Sequence, residues 1–401
     1  MVVDFRTTSG CLVPMDALVP GAVSRRLPTG VYVLGFCLFA MGSAEFLLAG
    51  VLPAVAADLG VSLSSAGYLI SAFALGVVIG GPPFAVLSLR WKRRTALMVT
   101  QGIFAVSVAA GLLGGYPILL VARAVAGIAY AGFFAVATVT AINLVTPDRN
   151  ARASGVVVSG LSVAMVAGGP AGTLLSHFTQ WRGGFWAVVA LTLVGLIGCR
   201  AIPDGRSAAE PDVSRELAVI RNPRLWGIWA ITVLTTAAYM LTYNYLAAML
   251  AGITRLPEAW IPAVLVLFGV GAFLGLSAGG RIADRRPHAA LSCGAVGIAV
   301  LSLVMVVAIR HGWAVALLAF LLGIAAFVLN PALYGRVFAL AAHAPTLAGA
   351  TTVSAFQLGI SITPVLAGAV LTQGAVLPAV CVVGAVLALS AVLLIFLDRA
   401  R

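Results

Sequence analysis

Twelve apolar runs of about twenty residues each follow one another along this chain. They lie at 31–54, 64–87, 95–114, 117–140, 154–175, 184–202, 225–249, 260–279, 289–309, 313–334, 348–371 and 377–397. Each is long enough to cross the hydrocarbon core of a bilayer as a helix. In lipid every backbone polar group has to be satisfied within the protein, and a continuous apolar run achieves this only as an α-helix. A transmembrane barrel would need strands alternating apolar and polar residues, which these runs do not show. Only 9% of residues are charged, against about 25% in soluble chains. The predicted fold class is therefore an all-α integral membrane protein with twelve transmembrane helices.

The formal net charge of +12 would suit a nucleic-acid partner, but its placement excludes one. Lys and Arg cluster between the apolar runs, and no folded polar domain exists to carry a groove-binding motif. Counted loop by loop, twenty of them fall on the side of the two termini. Only Arg182, Arg255 and Arg310 fall on the other, and Arg123 lies inside a run. Basic loops stay cytoplasmic, so both termini are expected in the cytoplasm. The five cysteines are scattered, with no metal-ligand or disulfide spacing, and read as small core residues. No metal or cofactor is expected.

The longest polar interruption separates six runs from six. The predicted organisation is a cytoplasmic, disordered tail over 1–30, a six-helix half over 31–200, a cytoplasmic linker over 201–224 and a second six-helix half over 225–401. An internal repeat supports the division. Gly81 to Arg94, with Arg90 and Arg93, follows the second run, and Gly279 to Pro287 follows the eighth at a matching place in the second half. Two pseudo-symmetric halves place a substrate near the bilayer midplane between them.

Among twelve acidic residues, Glu45 alone lies well inside an apolar run. A carboxylate in hydrocarbon costs several kcal/mol unless it is paired, protonated or facing a wet cavity, so such a residue is a functional candidate. The competing account is a permanently protonated structural hydrogen-bonder. Arg123 falls at a similar depth in the fourth run, so a pair or a shared water cavity is geometrically possible. Its competing role is a structural cation capping carbonyls. Desolvation favours the protonated carboxyl and a nearby cation the carboxylate, so an alternating environment can bind and release a proton. Leu38 and Met41 share the Glu45 face at helical spacing and suit an apolar ligand. Tyr130 and Phe134 follow Arg123 at similar spacing. Tyr239, Tyr243, Asn244 and Gln357 offer rings and hydrogen bonds to a ligand, although Asn and Gln serve equally well as interhelical glue. The glycines 155, 160, 168, 169 and 172 with Pro170 allow close approach and a kink in the fifth run.

Several of these stretches resemble the major facilitator superfamily. Gly280-Arg281-Ile-Ala-Asp284-Arg285 is similar to its G-x-L-A-D-R loop, a cytoplasmic latch in that family. The first-half copy has Leu89 in place of Asp and Lys92 in place of Gly. Arg123-Ala-Val-Ala-Gly127 resembles the R-x-x-x-G motif tied to proton coupling. Gly168-Gly169-Pro170-Ala-Gly172 resembles the glycine–proline motif of drug/proton antiporters, with Thr173 replacing its last Gly. The stretch Met41-Gly-Ser-Ala-Glu45-Phe-Leu-Leu-Ala-Gly50 is similar to the first span of actinobacterial chloramphenicol efflux permeases, and the likeness runs from about residue 27 onward.

The resemblance implies a proton-coupled exporter of small drugs, chloramphenicol first, in a bacterial cytoplasmic membrane. It also implies alternating access, with the bilayer and protons as its other partners, and a monomer is expected. The alternatives are the same machine exporting a sugar, a nucleoside or an endogenous antibiotic; an enzyme acting on lipid-linked substrates; and a non-transporting sensor. An enzyme would need clustered Asp, His or Glu at a membrane interface. A sensor would need a soluble output domain. The sequence shows neither.

Overall fold

The computed structural model describes residues 27–87, 91–146, 149–204, 221–341 and 345–399. Residues 1–26 of the tail expected over 1–30, most of the linker over 201–224 and Arg90 lie outside the described residues, and the end of that tail is already helical from Thr29. Those described form helices and short connections, with no strand among them.

The first four spans are Thr29–Leu59, Leu63–Leu87, Arg93–Leu113 and Tyr116–Asn143. The fifth begins at Asn150, passes through a π-helical turn at Ala164–Gly168 and runs into the helix Gly169–Gly198. The apolar stretch Arg152–Ala201 is 50 residues long. At 1.5 Å per residue it would reach about 75 Å, more than twice a bilayer's core. It breaks at Thr179 and Gln180, where Gln180 takes φ 61°, and so supplies both the fifth and the sixth span. Eleven apolar helical stretches among the described residues thus yield twelve crossings.

The second half comprises Pro223–Met249 with a π turn at Leu250–Thr254, Ile261–Ala283, Pro287–Ala308, Gly312–Val328 continued by Asn330–Leu340, Pro345–Leu371 and Ala379–Arg399. Pro331 opens the second piece of the tenth span, where its missing N–H is no loss.

Several boundaries correct the sequence reading. The first helix does not stop at 54: it continues through Pro53 to Leu59 and ends on Gly60, whose φ of 63° closes it with N–H bonds to the Ala56 and Ala57 carbonyls. The eighth helix runs to Ala283, so Gly280 and Arg281 are its last turn rather than loop. The eight-residue loop expected between the fifth and sixth runs is reduced to the break at Thr179 and Gln180.

The repeat seen in the loops extends to backbone packing. A Cβ placed on Gly127 would sit 2.0 Å from the Phe73 carbonyl oxygen, and one on Gly76 2.2 Å from that of Ala124. In the second half, one on Gly323 would meet the Phe268 carbonyl at 2.2 Å and one on Gly271 that of Phe320 at 2.1 Å. The second and fourth spans therefore cross as the eighth and tenth do. Similarly Gly160 faces the Gly35 carbonyl between the fifth and first spans, as Gly359 faces that of Val233 between the eleventh and seventh.

Large apolar side chains point outward along the spans, Val106, Ile197 and Val307 among them. Trp226, Trp260 and Trp313 are exposed at the starts of three spans, the place such rings occupy at a membrane interface. Cys37, Cys199 and Cys381 are core residues as expected, whereas Cys293 is exposed. Gly30 packs beside Leu144 and Ile202, so the start of the first span and the ends of the fourth and sixth share one end of the bundle, called the terminal end below.

Candidate functional site

Arg123 is 4% exposed. Its Nε donates to the Leu69 carbonyl and its Nη1 to the Ala44 carbonyl, both at 3.3 Å, and its guanidinium lies 4.6 Å from the centre of the Phe73 ring. The Ala44 carbonyl belongs to the peptide bond leading into Glu45. The two residues expected at similar depth are thus side by side, but they form no ion pair. Arg123 caps carbonyls of the first and second spans, the competing role considered for it, while its Nη2 is buried without a partner.

Glu45 accepts a hydrogen bond from Gln357 Nε2 at 3.1 Å, from the eleventh span. It is enclosed deep in the bundle yet keeps a partly accessible surface, so it borders internal space rather than lipid. Arg123, Tyr130, Tyr239 and Tyr243 all lie within electrostatic range of its carboxyl. Groups from the first, fourth, seventh and eleventh spans therefore make one polar layer at the junction of the halves.

The glycines of the fifth span place the first helix against this layer. Positions for a Cβ on Gly168 and Gly169 are filled by Ser43 and Phe46, and Gly172 meets Leu47. The π turn directly precedes Gly169-Pro170, so the expected kink is a local widening of the helix. Gly155 faces open space and takes no part.

Two cavities approach this layer from opposite ends. One, of about 510 Å³, lies toward the terminal end between the halves. Phe134 and Thr138 line it from the fourth span, Tyr334 and Phe338 from the tenth, and Ser354 from the eleventh. Tyr334 stacks on Phe356 with ring centres 5.5 Å apart. Arg93 is the one charged residue among the described lining residues, so the cavity is an aromatic, weakly polar space with a single cation. The second, of about 700 Å³, lies at the other end. Asp58 and Trp181 line it, and Ala247 and Ile261 bring in the second half. Asp58 is clamped by Arg182 Nη1 at 2.6 Å and Trp181 Nε1 at 3.0 Å.

The halves touch between these cavities. Ser71 donates to the Ser361 carbonyl at 2.6 Å, the Phe46 and Tyr243 rings meet edge-on at 6.5 Å, and Gly67 lies against Pro364.

Of the ligand candidates read from sequence, Phe134 alone lines the cavity at the terminal end. Leu38, Met41 and Tyr130 are packed core. Tyr239 and Tyr243 lean on Phe268, at ring separations of 6.4 Å and 4.5 Å. Asn244 bonds Thr363 at 3.0 Å, which makes it interhelical glue, and Gln357 bonds Glu45. Helical spacing fixes which face a residue shares but not whether a neighbouring helix covers that face. Asn330-Pro331 reads in the sequence as an end or kink of the tenth span, but a kink does not say which way the piece beyond it turns, so Tyr334 and Phe338 were missed, as was Ser354 on the eleventh span. Arg281, Asp284 and Arg285 are exposed at the terminal end, and the Asp284 side chain makes no hydrogen bond or ion pair among the described residues. A Cβ on Gly280 would meet open space.

Comparison with known proteins agrees with this architecture. The family model for the Major Facilitator Superfamily matches residues 34–364. The chain is 38% identical over 351 residues to a chloramphenicol resistance protein of Streptomyces lividans, covering 86% of this chain and 90% of that one. It is 32% identical over 366 residues to the inner membrane transport protein YdhP of Escherichia coli, covering 90% and 93%. The crystal structure of the nucleoside transporter NupG superposes with a TM-score of 0.73 at 13% identity, over 93% of this chain and 98% of that one.

Proposed function

The chain belongs to the Major Facilitator Superfamily, and from that premise we propose that it exports small uncharged drugs, chloramphenicol among them, in exchange for protons. It is a multi-pass membrane transporter. The single observation that carries the proposal is the placement of Glu45 in a polar layer at the junction of two halves, with a cavity on either side. Rocking the halves would present such a carboxyl to one side and then to the other, which is what proton exchange for drug requires. The aromatic, weakly polar cavity fits a neutral aromatic drug better than a polyhydroxylated sugar, and the similarity to a chloramphenicol resistance protein points the same way. Hence export of another small metabolite is the weaker reading. The basic loops argue for both termini in the cytoplasm of a bacterial cell, so the cavity with Phe134 would load from inside. Inward proton movement then supplies about 2.3 kcal/mol per charge per 100 mV.

The test uses everted membrane vesicles from cells with and without this chain. When the vesicle lumen is acidified by proton pumping, labelled chloramphenicol is expected to accumulate only where the chain is present, and a protonophore should release it. Right-side-out vesicles should not accumulate it. Accumulation unaffected by the protonophore would overturn the coupling, and accumulation in right-side-out vesicles would overturn the orientation.

Asp284 is expected to act in the arrangement not seen here, pairing across the terminal end once that end closes. A coupling of about 1 kcal/mol shifts such a balance about fivefold. Asp284→Asn should accordingly lower transport severalfold at unchanged membrane abundance. Undiminished transport would reduce this helix end to a topology signal.

A further inference from the structure

We infer that Gln357 is a positioning residue that reports the protonation state of Glu45 to the second half of the molecule. This rests on the proton-carrying role proposed above for Glu45. The bond from Gln357 Nε2 to Glu45 Oε1, 3.1 Å long, joins residues 312 positions apart on different halves. Gln357 is 6% exposed, and the other end of its amide, Oε1, is buried with no partner. The charged and titratable groups facing the carboxyl are Arg123 and Tyr130 from the fourth span and Tyr239 and Tyr243 from the seventh. None of these bonds to it. Arg123 gives one donor each to the Leu69 and Ala44 carbonyls, and its Nη2 is buried without a partner. Gln357 is therefore the one side chain among the described residues that holds the carboxyl directly.

An amide carries donors on nitrogen and an acceptor on oxygen. An ionised carboxyl only accepts, whereas a protonated one also donates its O–H. The observed bond, donated by Nε2, suits an ionised carboxyl; a protonated one could accept it through its carbonyl oxygen but would leave its own O–H unmatched at this amide. When Glu45 takes a proton from water, a half-turn of the Gln357 amide brings the unpartnered Oε1 to the place of Nε2, where it accepts the new O–H. When the proton leaves to water on the other side, the amide turns back. Both protonation states are satisfied, but not equally: a hydrogen bond to an ionised group is about twice as strong as one between neutral groups. The tie between the first and eleventh spans is therefore firm while Glu45 is ionised and loosens once it is protonated. Proton binding releases one half from the other at the junction itself.

The test compares three reconstituted proteins: the parent chain, Gln357→Met, which keeps length and burial without hydrogen bonding, and Glu45→Gln. Chloramphenicol binding, drug-induced proton flux and the infrared carbonyl stretch of protonated Glu45 are measured on each. The stretch is assigned by its loss in Glu45→Gln. In Gln357→Met the stretch should shift, drug binding should stay near that of the parent, and drug-induced proton flux should fall about tenfold. Its remaining transport should lose most of its dependence on pH. An unshifted stretch, or parental flux with the parental pH profile, would overturn the role of Gln357 while leaving Glu45 as the carrier. Parental flux in Glu45→Gln would instead overturn the underlying reading. Should Gln357→Met not assemble, Gln357→Leu is scored by the same carbonyl stretch, which needs only folded protein.

Discussion

Glu45→Gln is expected to bind chloramphenicol and yet fail to export it against a gradient. The substitution keeps the size of the side chain and its capacity to hydrogen-bond Gln357, but removes the group that takes and gives up a proton. A neutral drug does not require the carboxylate charge, and the cavity with Phe134, Tyr334 and Phe338 is untouched. Movement of drug down its own gradient is thus preserved. What is lost is the link to proton return, because among the described residues no other acidic side chain lies in the layer between the cavities. In intact cells the variant should confer no resistance above background. In vesicles, drug-induced proton flux should vanish. Full resistance together with parental flux would leave Glu45 as a structural hydrogen-bonder and nothing more.

The second large effect concerns Gly127, the closing residue of the Arg123 motif. A Cβ there would stand 2.0 Å from the Phe73 carbonyl oxygen, an atom that cannot rotate away. Gly127→Val is expected to push the second and fourth spans apart and to cost about 3 kcal/mol, the upper end of what overpacking does. The melting temperature of the purified protein should drop sharply. Gly102→Ala is the matched control. No atom beyond its own turn of helix lies within 4 Å of the added methyl, and alanine is the better helix former by up to about 1 kcal/mol, so that variant should melt no lower than the parent. Equal melting of Gly127→Val and the parent would contradict the depth of this crossing.

The membrane class, the two halves and the loop repeat are legible in the sequence because each depends on a local quantity: run length, break composition or loop charge. The depth of Glu45 and Arg123 is legible for the same reason, since a helix rises a fixed distance per residue. Their partners are not. Arg123 chose the carbonyls of Leu69 and Ala44, and Glu45 chose an amide 312 positions away, and no periodicity announces a contact between spans that far apart. The cavity shows the same limit. Tyr243 and Asn244 looked like ligand contacts because they are polar or aromatic in an apolar run, but Phe268 and Thr363 already occupy them. Tyr334 is equally aromatic at the end of an apolar run, but whether it meets the cavity depends on how the helix continues past Asn330-Pro331, which the sequence does not give. The join of the fifth and sixth spans was hidden by Arg182 and Gly183, which read as loop although the helix resumes through them.

The depth at which helices meet also sets where the molecule is stiff. Within each half, glycines let one helix rest on the carbonyl oxygens of the next, as Gly127 does on Phe73 and Gly323 on Phe268. Backbone on backbone leaves no rotatable bond to absorb displacement. Between the halves the contacts are mixed: Gly269 of the eighth span lies against the Val166 backbone and the Met165 carbonyl of the fifth, while elsewhere the touching groups are the Phe46 and Tyr243 rings, the Ser71 hydroxyl and the ring of Pro364 beside Gly67. Side chains of this kind tilt and slide at little cost. Such a body is mechanically uneven, two stiff shells joined by a seam that yields where side chains carry it and resists where backbone meets backbone at Gly269.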